Sequence, residues 1–232
     1  MGKKKMTLLV AGLLTALAVM ALAGTATAKE TKLKCEGTGF CLFTISSGVT
    51  TFSMIGGDTV RCSGGFGNGE VTGLNAERES TTSTVQVLFS NCREQNTVFG
   101  FTCTNTATAG NITTNVMTMH NVALPGTSSE AGVLMTNAGV TFTCAGGFAS
   151  TQITGSIIGE YETKCNTNTG WLQTISFNTF GDGWQHLTTY TGATLFKLEG
   201  KTSHSGGGGY TSAAQGGTAR LSFNEEAVLT CA

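Results

Sequence analysis

The chain reads as all-β: an antiparallel sandwich or barrel of about ten strands, stabilised by disulfides, in an arrangement that admits two related halves. Three observations lead there. Short runs alternate apolar and polar residues, and none keeps a helical period. Glycine occurs 33 times against a single proline, which suits bends, bulges and positive-φ turns better than loose linkers. The eight cysteines, all beyond the first 34 residues, form an even set in a chain that carries an export signal.

That signal comes first. Lys3, Lys4 and Lys5 precede an uncharged run from Met6 to Ala23, and Ala26-Thr27-Ala28 offers an A-x-A cut before Lys29. Basic, apolar and small-residue regions in that order make a secretory signal peptide of 1–28. The rival reading, an uncleaved membrane anchor, leaves the cleavage signal unexplained. Residues 29–232 then form one secreted β domain, within the roughly 200 to 250 residues that a single sandwich or barrel can hold. Past the cut, ten Lys and Arg face 14 Asp and Glu, a net charge of −4. With no basic cluster there is no electrostatic footprint for nucleic acid, and no membrane association is expected once the signal is gone. Charged residues are only 12% of the chain, so Thr, Ser, Asn and Gly must supply the polar surface.

Along the domain, Cys62-Ser63-Gly64-Gly65-Phe66-Gly67, closing at Val71-Thr72-Gly73, returns as Cys144-Ala145-Gly146-Gly147-Phe148-Ala149, closing at Ile153-Thr154-Gly155. The copies mark repeat units near 59–73 and 141–155, each read as strand, tight turn and strand. Pro125, in a Leu124-Pro125-Gly126-Thr127 stretch suited to a type II turn, reads as the seam between halves. Ser83, Val85, Val87 and Phe89 share one strand face, with Thr84, Gln86 and Leu88 on the other. Ile112 to Leu124 reads as one long central strand buried on both faces. Ile153, Ile157 and Tyr161 alternate, as do Trp171, Gln173, Ile175 and Phe177; further strands are expected at 195–198, 219–223 and 227–231. Ser203 to Gly217, with four glycines in a row, reads as a mobile surface loop.

Cys35, Cys41, Cys62, Cys92, Cys103, Cys144, Cys165 and Cys231 imply four disulfides, because no C-x-x-C pair or zinc spacing is present. Proximity suggests Cys35 with Cys41 and Cys92 with Cys103, then Cys144 with Cys165 and Cys62 with Cys231; the count alone leaves the connectivity open. The order Asn91-Cys92, Cys103, Gly110-Asn111-Ile112-Thr113-Thr114, Phe142-Thr143-Cys144, Ile153-Thr154-Gly155-Ser156-Ile157-Ile158-Gly159, Gln185 and Asn224-Glu225 resembles an uncharacterised family of secreted, cysteine- and glycine-rich proteins of high-GC Gram-positive bacteria. The resemblance implies an extracellular β protein and brings no activity with it.

Candidate chemistry is sparse. Asp182 and His186, with Trp184 between them, form the densest polar group; a triad would need a hydroxyl from elsewhere, and no G-x-S-x-G elbow is present. Glu160 and Glu162 would share a strand face about 7 Å apart, near a glycosidase separation, although a solvated strand face is the simpler reading. His120 reads as a hydrogen-bonded strand histidine. No calcium loop or phosphate loop occurs, so neither metal nor other cofactor is expected. Trp171, Trp184, Tyr161 and Tyr190 suggest an aromatic platform for sugars, with Trp171 better placed in the core; the expected binding set is Trp184, Asp182, His186 and Tyr190. Thr102 to Thr108 offers alternating threonines, a feature of some polysaccharide- and ice-binding faces. An outer-membrane barrel would share the alternation and low charge, but eight cysteines and few aromatics for two girdles oppose it. The expectation is a non-catalytic binding or surface-structural protein of the envelope or extracellular space, with a cell-wall or extracellular glycan as partner. The alternative is a secreted hydrolase of glycans or esters.

Overall fold

The computed structural model describes residues 31–54, 59–95, 100–125, 130–144, 149–167, 170–180, 184–185, 190, 198–203 and 211–231. The first strands are β1 (Thr31–Cys35), β2 (Leu42–Ser47), β3 (Thr50–Met54), β4 (Val60–Cys62), β5 (Gly64–Thr72), β6 (Glu79–Ser80) and β7 (Thr82–Ser90). Next come β8 (Arg93–Glu94), β9 (Cys103–Thr104), β10 (Ile112–Thr113), β11 (Met117–Ala123), β12 (Ala131–Thr136), β13 (Val140–Cys144) and β14 (Ala149–Gly155). The last are β15 (Ile157–Tyr161), β16 (Leu172–Phe177), β17 (Thr179–Phe180), β18 (Trp184–Gln185), β19 (Leu198–Ser203), β20 (Thr211–Phe223) and β21 (Ala227–Cys231).

Antiparallel pairing closes on itself in the order β2-β5-β7-β11-β12-β15-β16-β20 and back to β2, an eight-stranded barrel. A second ring runs β3-β4-β8-β9-β13-β14-β19-β20 and back to β3. Its β8–β9 step is held by the Arg93–Thr102 bridge and by Glu94 N–H donating to Phe101 O at 2.9 Å. The two rings run in the same circular order and share β20. The molecule is therefore eight staves, all but one of them interrupted between the rings. β20 alone runs through unbroken, passing between rings at Gly216 and Gly217, where φ is +135° at Gly217. The other breaks fall at residues that tolerate a kink, among them Gly48, Asn91 (φ 50°), Asn137 (φ 54°) and Gly155 (φ 127°). Hydrogen bonds such as Ser63 N to Ser90 O (3.0 Å) and Asn115 N to Gly139 O (2.8 Å) carry the pairing past the interruptions. Closure leaves neither ring with an edge.

Alternation sends one phase of each stave inward. Phe43, Ile45, Val85, Val87, Phe89, Met119, Met135, Ile175, Phe177, Leu221 and Phe223 fill the first ring, as expected for a barrel whose bore just admits side chains. Strand β5 places Gly65, Gly67 and Gly69 in that phase, facing Phe89, Val87 and Val85 on one side and Ser47, Ile45 and Phe43 on the other. A Cβ on Gly69 would overlap the Phe43 ring, so small and large residues share the width. The three-stranded sheet β21-β1-β6 joins this core through Leu33, Ala227 and Leu229. Its outer edge is covered by Asn166 N–H to Leu229 O (2.7 Å) and Ala227 N–H to Gly170 O (3.0 Å). On the outside of the first ring, Val122, Leu124, Leu134 and Ile158 form a separate buried cluster.

Four disulfides join Cys35–Cys41, Cys62–Cys92, Cys103–Cys144 and Cys165–Cys231. The first matches expectation; the Cys92–Cys103, Cys144–Cys165 and Cys62–Cys231 pairings are corrected. Extending the ladders places Cys62, Cys92, Cys103 and Cys144 in one row across four strands. Within that row Cys103 N–H donates to Cys92 O at 2.9 Å, so Cys92 and Cys103 form a hydrogen-bonded pair, the wider kind in an antiparallel ladder. The linked pairs have Cα atoms 3.9 and 4.1 Å apart, close to the ~4.5 Å of the narrow kind. Ladder phase decides the partner here, and sequence proximity does not.

Other expectations also change. The two C-x-G-G-F copies take different places: Cys62 and Gly64 are joined across Ser63 in one continuing stave, whereas Cys144 faces Ala149 across a hairpin. Pro125 lies between β11 and β12, which pair with each other in one ring. The long strand at 112–124 is interrupted, and Val116 is exposed. Thr211 to Gly217 is strand rather than loop, because small Ala213 and Ala214 pack between β3 and β19 with β20 paired on both sides.

Candidate functional site

Where the inner phase is filled, any site lies on the outer phase. Across five adjacent staves one row stands in register: Leu172 on β16, Ser222 on β20, Thr44 on β2, Asn68 on β5 and Gln86 on β7. The row is uncharged. Two shallow depressions lie along it. One, of about 500 Å3, is lined by Leu42, Thr44, Asn68, Ser222 and Asn224; the other, of about 300 Å3, by Leu42, Asn68, Glu70, Thr84, Gln86 and Val116. They share Leu42, Asn68 and Gly69, so they adjoin as one trough across β20, β2, β5 and β7.

Hydrogen bonds fix the walls. Asn224 donates from Nδ2 to Phe40 O (2.9 Å), and its Oδ1 accepts Leu42 N–H (2.8 Å). Phe223 N–H donates to Trp171 O (2.9 Å), which places Trp171 at the β16–β20 end. Gln86 Nε2 donates to Thr114 O (2.9 Å) at the opposite end. Large apolar side chains stand out on this face: Phe66 is 55% exposed and Val116 54%, with Leu42, Leu88 and Leu172 also exposed, while Phe40 lines another depression with Leu74 and Arg78. Such a concentration marks an interaction surface. The central outward positions are Thr, Ser, Asn, Gln and Arg220, the reverse of a bilayer-spanning barrel, whose outer band is apolar and whose interior is polar.

Of the expected site residues, Tyr190 alone is described with its side chain. Asp182 and His186 lie outside the described residues, as does the side chain of Trp184, whose backbone faces Phe180 in the β17–β18 ribbon. Tyr190 packs half-buried against the outer cluster of Val122, Leu124, Leu134 and Ile158, covering apolar surface instead of offering a free ring. Tyr161 is inside the barrel, donating its hydroxyl to Asn121 Oδ1 at 2.8 Å; burial pushes its pKa up. Trp171, expected in the core, is the exposed one. Thr104 and Thr106 turn into their own loop, with Thr104 Oγ1 within 3.1 Å of three backbone carbonyls and Thr106 Oγ1 donating to Thr108 O at 3.1 Å, so they form no flat array. His120 lies 3.4 Å from Thr136 Oγ1.

Glu130, Glu160 and Glu162 share a separate depression of about 310 Å3, where Ser176 Oγ donates to Glu162 Oε1 at 2.8 Å. Cys35, Cys41 and Glu225 are the one close group of metal-type side chains among the described residues, but the cysteines are joined to each other and Glu225 pairs with Arg78. No ligand set remains there.

Sequence reasoning missed the trough because outward positions of a strand carry little pattern. A signal was present in Phe66 and Leu88, large apolar residues in the otherwise polar phase of their strands. They face one another across β5 and β7. The chain matches no protein-family model, no curated protein and no solved structure. Its class is thus defined by its own geometry: a filled antiparallel barrel of eight staves, closed by intramolecular disulfides of the kind that an oxidising compartment maintains, with a mixed apolar and amide face turned outward.

Proposed function

We propose that this is a secreted, non-catalytic binding protein of the cell envelope or extracellular space, whose working surface is the outer face of β16, β20, β2, β5 and β7. The observation that carries the reading is the trough with exposed Leu42 and Val116 beside the hydroxyls and amides of Thr44, Ser222, Asn68 and Gln86. Exposed apolar side chains beside amides suit sugars, which offer an apolar face and a polar rim. Four disulfides and the export signal support the location, and the resemblance to secreted actinobacterial-type cysteine- and glycine-rich proteins agrees with it. The test is retention of the exported chain on purified cell-wall and extracellular polysaccharide. Wild type is retained, and Asn68→Arg, which fills the exposed floor without touching the core, is not; equal retention of both would remove this face from the function.

The second reading, a secreted hydrolase, draws on the three carboxylates that share the β15 depression. It requires release of reducing ends from polysaccharide, abolished by Glu160→Gln. Absence of product from wild type removes it.

A further inference from the structure

The structure assigns a covalent chemistry to the row of four cysteines: it is a thiol–disulfide exchange relay, entered by a low-molecular-weight thiol at Cys144 and delivering a free thiol at Cys62. The order across neighbouring strands carries it. Cys62 on β4, Cys92 just before β8, Cys103 on β9 and Cys144 on β13 stand in one row, and residues facing one another in a ladder project to the same side of the sheet. The two disulfides therefore lie end to end, with Cys103 on the side of Cys92 away from Cys62. Exchange needs that order, because the attacking thiolate approaches opposite the sulfur it displaces. Access sets the direction. Cys62, Cys92 and Cys103 are 0% exposed and Cys144 6%, so a thiol from solvent meets the row at Cys144. Its thiolate bonds to Cys144 Sγ, and the Cys103–Cys144 bond breaks with its electron pair left on Cys103. The Cys103 thiolate then bonds to Cys92 Sγ, and the Cys62–Cys92 bond breaks with its pair left on Cys62, which takes a proton from water. Two disulfides enter and two remain, so nothing is oxidised or reduced overall. Cβ atoms of a hydrogen-bonded facing pair stand about 5.5 Å apart, about 1 Å beyond a disulfide's reach, so the new link draws β8 toward β9. That step is held by a single bridge, where the shift meets least resistance. The native pairing remains the resting state, and the chain returns to it when the thiol is withdrawn. Cys165–Cys231 is also reached from outside, Cys165 being 7% exposed, but Cys231 faces Thr31, so opening there passes nothing on.

The experiment treats the folded exported chain with 2-mercaptoethanol, stops the exchange with N-ethylmaleimide, and maps the peptides released by trypsin and cyanogen bromide. The expected product carries mercaptoethanol on Cys144, maleimide on Cys62 and a Cys92–Cys103 crosslink in one molecule, while opening of Cys165–Cys231 yields an adduct and no new crosslink. Maleimide on Cys103 with Cys62–Cys92 intact, a first adduct on Cys62, Cys92 or Cys103, or a row left unmodified under conditions that open Cys165–Cys231 overturns the relay. Two variants test the transfer without reagent. Cys144→Ala leaves the Cys103 thiol facing Cys92, and part of this protein should lose the Cys62–Cys92 bond and gain a Cys92–Cys103 crosslink with Cys62 free. Cys41→Ala leaves a thiol at Cys35, off the row, and should keep both bonds of the row whole. Cys62–Cys92 as the sole pairing in the first variant, or the same new crosslink in the second, contradicts the relay.

Discussion

Tyr161 places a phenol inside an apolar barrel with Asn121 as its acceptor, and burial raises its pKa above the ordinary 10.0. The unfolded chain therefore gives up this proton first as pH rises. The resulting stability is complete below about pH 10 and declines above it, where the unfolded state binds fewer protons. Thermal unfolding followed against pH should steepen on the alkaline side in wild type and lose that component in Tyr161→Phe. The same substitution leaves Asn121 Oδ1 buried without its donor and should lower stability by about 1 to 3 kcal/mol at neutral pH. A neutral-pH Tm equal to wild type would contradict the buried hydrogen bond. Gly69 gives a second residue-scale prediction. Because a methyl group there meets Phe43 and the Thr84 carbonyl, Gly69→Ala should destabilise by about 1 to 3 kcal/mol through overpacking, read from chemical denaturation. Gly39, with open space around its Cα, is the control.

At the scale of elements, the second ring is thinnest where β4, β8, β9 and β13 meet: two facing pairs, one bridge, then two facing pairs. The two disulfides of the cysteine row sit on either side of that bridge. On chain entropy, separations of 30 and 41 residues give each about 4 kcal/mol, against about 2 kcal/mol for the six-residue Cys35–Cys41 loop. Replacing Cys62 and Cys92 together by Ala, or Cys103 and Cys144, should thus cost more stability than replacing Cys35 and Cys41. The two larger effects should be non-additive, because both act on one junction. Equal losses from all three double variants, measured in urea, would show that loop length and ring position do not matter. Much of this scale was legible in the sequence. The phases of 83–89 and 173–177 fix inward and outward faces correctly, and Gly, Asn and Ser mark the breaks. What could not be read was long-range register: Cys92 and Cys103 are near in sequence, yet hydrogen-bond phase separates their sulfurs. The Gly-rich 211–217 segment resembles a loop because small residues pack there between two neighbours that only the fold supplies.

For the whole molecule, alternation without a helical period specified an all-β chain, and closure into a barrel is one of the two architectures it allowed. The expected ten strands become eight staves, of which only β20 is continuous, plus a small sheet and a two-stranded ribbon, because each kink ends a strand while the ladder continues beside it. The candidate site was least legible. The trough gathers Leu42, Asn68, Gln86 and Ser222 from four strands scattered over the chain. No local pattern links them. Closing the second ring sets Cys62, Cys92, Cys103 and Cys144 in one row across neighbouring strands, and the sulfur pairing reports that register. Non-reducing cleavage of the exported chain, by trypsin after Arg61, Arg78, Arg93, Lys164 and Arg220 and by cyanogen bromide at the methionines between Cys103 and Cys144, followed by mass spectrometry of the linked peptides, reads it directly. The closed barrel requires Cys35–Cys41, Cys62–Cys92, Cys103–Cys144 and Cys165–Cys231 with no thiol left over; a Cys92–Cys103 link, or free cysteines in the folded chain, would contradict it.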